Sequence, residues 1–207
     1  MSHVIGRSTL LKPQPIRMGA LLLCAAAMLC AGASAGAQRP DPATRLFAML
    51  NAYRAEHGLA EVQHSPNLSR VARLHVDDLE FSPPAAHCSP HSWSTRGQWS
   101  ACCYPRDHSQ AQCMWNKPRE IAGRDYPGYG FEIVCHHPRR MTPEIAMACW
   151  SASGPHLQVI LNRGHWTGVA WKALGVEMPE HYAIAWFGRE TDRASKTKPA
   201  GPYAALP

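Results

Sequence analysis

The 207-residue chain has no segment suited to a membrane span, no basic stripe and none of the common catalytic helices. Its most apolar stretch, Met18 to Cys30, is too short for a comfortable crossing and has no stop-transfer flank. Basic residues do not cluster beyond Arg139-Arg140, which argues against nucleic acid as a partner. There is no Cys-x-x-Cys knuckle of the kind that builds structural zinc sites, and no His-Glu-x-x-His helix of the kind that builds metalloproteases. Internal repeats are also lacking, which excludes a solenoid.

The N-terminus reads as an export signal. Arg7, Lys12 and Arg17 precede the apolar run, and Ala33-Ser34-Ala35 and Ala35-Gly36-Ala37 both fit a cleavage site. Residues 1–37 are therefore expected to be a secretory signal peptide, with the mature protein secreted or periplasmic and carrying no transmembrane segment. Leu23 before Cys24 and Leu29 before Cys30 argue against a lipid anchor, which needs a small residue there. Without the three leader cations the formal net charge falls from +6 to +3. About 170 residues remain, enough for one domain with a true core.

Six cysteines lie beyond the leader: Cys88, Cys102, Cys103, Cys113, Cys135 and Cys149. An even number in an exported chain predicts disulfides rather than a zinc site, although six allow about 15 connectivities. Cys135 with Cys149 is the first expected pair, a strand end bridged to the next helix. One of Cys102 or Cys103 with Cys113 is the second.

Helix signals punctuate the chain. Asp41-Pro42 caps a helix over 43–57 that stops at Gly58, with Leu46, Met49, Leu50 and Tyr53 on one side. Ser65-Pro66 opens a second helix to about Phe81, whose apolar face holds Leu68, Val71, Ala72, His75 and Leu79. On that face His75 is expected to be a hydrogen-bonded core residue. Residues 82–130 show no sustained period and read as a long loop stapled by cysteines. Thr142-Pro143-Glu144 starts a third helix running to about Trp150. Gly154-Pro155 then breaks the chain, so backbone geometry fixes His156 at a helix-to-helix corner. Tyr129 to Cys135 reads as a short strand or a strand-like entry to the next helix, and Thr167 to Trp171, Ala173 to Met178 and Tyr182 to Phe187 have the β-branched and aromatic content of strands. The order predicts an α+β domain over 38–188, with helices covering a small, mainly antiparallel sheet, and a flexible tail over 189–207.

Several stretches together resemble one family. Leu50-Asn51-Ala52-Tyr53-Arg54 with Gly58-Leu59 and Ser65-Pro66-Asn67-Leu68 is similar to the first helix and exit of the CAP superfamily. That superfamily comprises the cysteine-rich secretory, antigen 5 and pathogenesis-related 1 proteins, also called SCP-like extracellular proteins. Ala72 through Leu79 resembles the second helix of its bacterial branch, and His91-Ser92-Trp93-Ser94 its histidine-bearing loop. Gly130-Phe131-Glu132-Ile133, Trp150 through His156, Leu174-Gly175-Val176 and Tyr182 through Gly188 follow in the family's order. The segment from Trp93 to Met114 is similar to a cysteine-bearing subgroup.

The resemblance implies a three-layer α-β-α sandwich with a cleft lined by two histidines and two glutamates, where some members bind a divalent metal. Carried over by position, these are His91, His156 and Glu132. Ser153 stands where the second glutamate is usual, so one carboxylate of the set is missing. Two imidazoles and a carboxylate could hold zinc with an open position for water. Glu132 in its apolar context needs a cationic or hydrogen-bonding partner: His91 and His156, or an arginine in a purely structural pair. Ser153 lacks a Gly-x-Ser-x-Gly elbow and an orienting acid, which argues against a serine nucleophile. A Cys–His protease is disfavoured because exported cysteines pair.

The expected function is that of a non-enzymatic exported protein binding a small apolar ligand such as a lipid or sterol, a divalent metal, or an extracellular partner. A zinc-dependent hydrolase, and a disulfide-stapled interaction module with a vestigial cleft, are the alternatives.

Overall fold

The computed structural model describes residues 40–193, all within the unit Arg39–Pro207. The expected leader, and the expected tail beyond residue 193, lie outside the described residues.

Three long helices begin with the same chemistry, a side-chain oxygen accepting the backbone N–H three residues on, followed by proline at the first helical position. Asp41 accepts from Thr44 N at 3.1 Å to start α1 (Pro42–Glu56). Ser65 accepts from Leu68 N at 3.0 Å to start α2 (Pro66–Phe81). Thr142 accepts from Ile145 N at 3.2 Å to start α5 (Pro143–Ser151). The chain then breaks at Ala152-Ser153, and Gly154-Pro155, expected as the break itself, instead open α6 (Gly154–Ile160), because proline suits the first turn of a helix. The expected loop over 82–130 holds two helices that its sequence did not announce, α3 (Ala111–Trp115) and α4 (Lys117–Ala122). Segments of five and six residues are too short to display a period.

The sheet has the order β1-β3-β2, from β1 (Gly130–His136), β2 (Ala173–Glu177) and β3 (Tyr182–Gly188), and every pairing is antiparallel. Alternation along the strands divides the interior in two. Phe131, Ile133 and Cys135 of β1, Leu174 and Val176 of β2, and Ala183, Ala185 and Phe187 of β3 pack with Leu46, Leu50, Ala146, Trp150 and Ile160 of α1, α5 and α6. Val134, Ala173, Ile184 and Trp186 point the other way, onto Leu68, Val71, Ala72, Val76 and Leu79 of α2. Helices thus cover both faces, giving the three-layer α-β-α sandwich.

The segment from Thr167 to Trp171, expected as a strand, is irregular. It follows a 3-10 turn at Gly164–Trp166, and Gly168 turns the backbone through φ 76°. Its aromatic content serves packing instead: the Trp171 indole N–H donates to the Val159 carbonyl at 2.8 Å, and Trp166 and Trp171 both lie against Phe131.

The cysteines form Cys88–Cys103, Cys102–Cys113 and Cys135–Cys149. The last two include both expected pairings; Cys88 with Cys103 completes the map. Just past β3, Asp192 is buried and accepts from Ser65 Oγ at 2.8 Å and Asn67 N at 3.0 Å, which anchors the start of the expected tail to the positive end of α2.

Candidate functional site

Glu132 sits on the α2-facing side of β1, an edge strand, with its side chain fully buried. Both of its oxygens are engaged. His75 Nδ1 lies 2.5 Å from Oε1, and His91 Nδ1 lies 2.9 Å from Oε2. The arginine partner considered from sequence is replaced by these two imidazoles.

His75 is placed by the apolar stripe of α2 and is itself completely buried. Its Nε2 meets the Ser92 carbonyl at 2.9 Å, and its ring stacks on Trp93 with centroids 4.2 Å apart and planes 8° from parallel. A carbonyl can only accept, so Nε2 carries a proton. Burial pushes the Glu132 carboxyl upward, but the neighbouring His75 charge and the hydrogen bonds from His75 and His91 outweigh it and hold the group below the usual carboxylate range. The ionised carboxylate also only accepts, so His75 Nδ1 carries a proton as well. Hydrogen-bond accounting therefore makes His75 an imidazolium, paired with a buried carboxylate and stacked on an indole face that favours a cation.

The loop bearing His91 is held from several sides. Ser92 N donates to Ser89 O at 3.0 Å, Tyr104 N donates to Ser92 Oγ at 2.9 Å, and Ser94 N donates to the buried Asp78 of α2 at 2.7 Å. Tyr104 packs edge-on to the His91 ring at 5.2 Å. With Nδ1–H given to Glu132, His91 Nε2 has no hydrogen-bond partner among the described residues. It is the nitrogen left to accept a proton or a metal.

His156 is the third residue of α6. Its Nδ1 is buried and has no hydrogen-bond partner among the described residues. Burial pushes its pKa down to about 4; His91 acts in the same direction and Glu132 opposes. The three residues therefore share one electrostatic neighbourhood, although His156 is not hydrogen-bonded to the others. Ser153 is the residue before α6, and its hydroxyl makes no capping bond.

The His156 environment has a measurable consequence. With a folded pKa near 4 and a free value of 6.5, the unfolded chain binds a proton in that interval that the folded chain does not. Stability should fall as pH drops from 6.5 to 4, by up to about 3 kcal/mol from this residue, and level off below. His64, also pushed down to about 4 by burial, adds to the same slope. Urea midpoints in chelator between these pH values should show a flatter profile for His156→Leu; an unchanged slope would assign the effect elsewhere.

His75 is the hydrogen-bonded core residue expected from its helix face, and it is also a member of the site, which the sequence did not place there. The signal in the sequence was a polar residue on an otherwise apolar helix face, which demands a buried partner. For metal binding, both Glu132 oxygens already accept imidazole N–H donors, so the carboxylate fits an orienting role better than a ligand role. The ligand atoms of His91, Glu132 and His156 do not all lie within 4.8 Å of one another. Among the described residues, the group that meets this spacing is His87, Cys88 and Cys103. A groove of about 320 Å³ runs between α1 and α5, lined by Met49, Tyr53, Glu56, Met147 and Ser151 among others; none of His91, Glu132 or His156 lines it.

The sequence profile of the CAP family, described as the cysteine-rich secretory protein family, matches residues 47–173. Among solved structures, the chain is similar to an extracellular protein containing an SCP domain from Bacillus anthracis str. Ames, at 15% identity and a TM-score of 0.51. That match covers 72% of this chain and 40% of the Bacillus protein. An outer surface protein of Borrelia burgdorferi aligns at 12% identity and a TM-score of 0.46, over 72% of this chain and 91% of its own. No curated protein matches the sequence.

Proposed function

Because this chain belongs to the CAP family of cysteine-rich secretory proteins, we propose that it acts as an exported binding protein whose polar centre holds a divalent cation through His91 and His156. The observation that carries this reading is the pair of imidazole nitrogens, His91 Nε2 and His156 Nδ1, left without protein partners among the described residues and beside a buried carboxylate. Glu132 then works from behind: by accepting the Nδ1–H of His91 it fixes the tautomer that presents Nε2 and makes it more basic. Zinc suits such nitrogen donors, and when bound would supply positive charge able to engage an anionic group of a ligand or partner.

A hydrolase is less well supported, because it needs a base to activate water and both oxygens of Glu132 are committed to His75 and His91. An apolar ligand such as a lipid or sterol is compatible with the family, and the groove between α1 and α5 is the apolar concavity that would receive it. Export is supported by three disulfides, and no helix among the described residues is long and apolar enough to cross a membrane.

Calorimetric titration of the oxidised protein with zinc tests the reading. One equivalent should bind, and His91→Ala/His156→Ala should abolish it. No binding at a micromolar excess, or unchanged binding by the double variant, would overturn it.

A further inference from the structure

Away from that centre, His87, Cys88 and Cys103 bring three potential metal-ligand atoms within 4.8 Å of one another, with Cys88 and Cys103 joined in a disulfide. We propose that this disulfide is a redox-gated metal site: once reduced by a dithiol, Cys88 and Cys103 bind one zinc ion together with the imidazole of His87.

Access singles out this bond. Cys103 is exposed and Cys88 half-buried, whereas each of the other disulfides has one buried cysteine, Cys102 or Cys135. An attacking thiolate must reach a sulfur atom, so the Cys88–Cys103 bond is the first to exchange. His87 beside it is exposed as well.

The backbone keeps the two cysteines together without the S–S bond. Ser89 N donates to the Tyr104 carbonyl at 2.8 Å, next to an antiparallel bridge between Cys88 and Pro105. Trp93 and Cys102 exchange backbone hydrogen bonds of 2.7 and 2.9 Å, closing the far end of the segment. The Cα atoms of Cys88 and Cys103 stand 5.3 Å apart. A tetrahedral zinc with bonds of about 2.3 Å needs its two sulfurs roughly 3.8 Å apart, which side-chain rotation can supply while the backbones stay paired.

The chemistry balances. The dithiol gives up two electrons and two protons and closes to its own disulfide, while the Cys88–Cys103 bond becomes two thiols. Zinc then displaces both thiol protons to solvent, His87 enters as neutral imidazole, and water completes the tetrahedron. The segment between the two cysteines carries His91, so its loop is strapped by a disulfide in one redox state and by a metal in the other.

The test uses the full chain in the His91→Ala/His156→Ala background, which removes the other candidate zinc site. Redox titration with a dithiol couple, read by mass spectrometry of alkylated peptides, gives the midpoint of each disulfide with and without zinc. Zinc should favour reduction of Cys88–Cys103 about a hundredfold, a positive shift of about 60 mV, and leave Cys135–Cys149 unmoved. His87→Ala should lose most of that shift. Cobalt added to the reduced protein should give a thiolate charge-transfer band that vanishes in Cys88→Ser/Cys103→Ser. An unshifted midpoint, an equal shift with His87→Ala, or a cobalt band that survives the serine variant would each overturn the proposal.

Discussion

Glu132→Gln should lower the melting temperature by roughly 6–20 °C, from the loss of about 3–5 kcal/mol expected when one partner of a buried ion pair is removed. Glutamine is close in size, so packing is not the cause. Its amide has one oxygen and one NH₂ group where the carboxylate has two oxygens, so it cannot accept from both His75 Nδ1 and His91 Nδ1. One imidazole N–H is left facing an amide donor, and the His75 imidazolium loses its counter-charge at a point where neither side chain of the pair is exposed to solvent. His75→Leu/Glu132→Leu, which removes both charges, should recover part of the loss. A decrease below about 1 kcal/mol for the single variant would show that the pair is not ionised as inferred.

The same carboxylate sets an acid limit. Its folded pKa lies below the ordinary glutamate value, so its contribution is fully present above that ordinary value and is lost as pH falls through the lower, folded one. Acid unfolding of the wild type should carry this component, and Glu132→Gln should lack it.

Gly175→Ala should give little or no folded protein, a loss above about 4 kcal/mol. A Cβ at this point of β2 would lie 2.5 Å from Leu68 Cβ and still closer to the Leu68 carbonyl carbon and the Ser69 amide nitrogen. These are mostly backbone atoms of α2, which cannot swing aside as a flexible side chain can. The helix would have to lift off the sheet, carrying His75 away from Glu132. Gly154→Ala is the matched control, since nothing lies within 4 Å of the position its Cβ would take. Circular dichroism and soluble yield separate the two; a well-folded Gly175→Ala would mean that α2 does not sit this close to β2.

What the sequence disclosed depended on how local the cause was. The caps at Asp41, Ser65 and Thr142 act within three residues, and all three helices start where those residues put them. Strands β1, β2 and β3 were legible from their content, but similar content at 167–171 was misleading. No neighbouring strand among the described residues pairs with that segment, and its tryptophan is used to fill the core beside Phe131. The short helices α3 and α4 depend on tertiary fixtures such as the Cys102–Cys113 bond rather than on any pattern of their own. At the site, Glu132 visibly required a partner and His75 visibly occupied a buried face. That the two satisfy each other is a contact across 57 residues, set by how α2 packs on the sheet. The family resemblance brought forward His91 and His156 but assigned no site role to His75, the residue that neutralises Glu132.

The strand order has an implication for how such a chain comes into being. Among the described residues the middle strand comes last in sequence, and neither of its neighbours pairs with the other. A polypeptide emerging from its N-terminus cannot close this sheet until residue 188 is available, so both hydrophobic interiors stay unsealed until then. A domain wired in this order makes its completion wait on the strand that is made last.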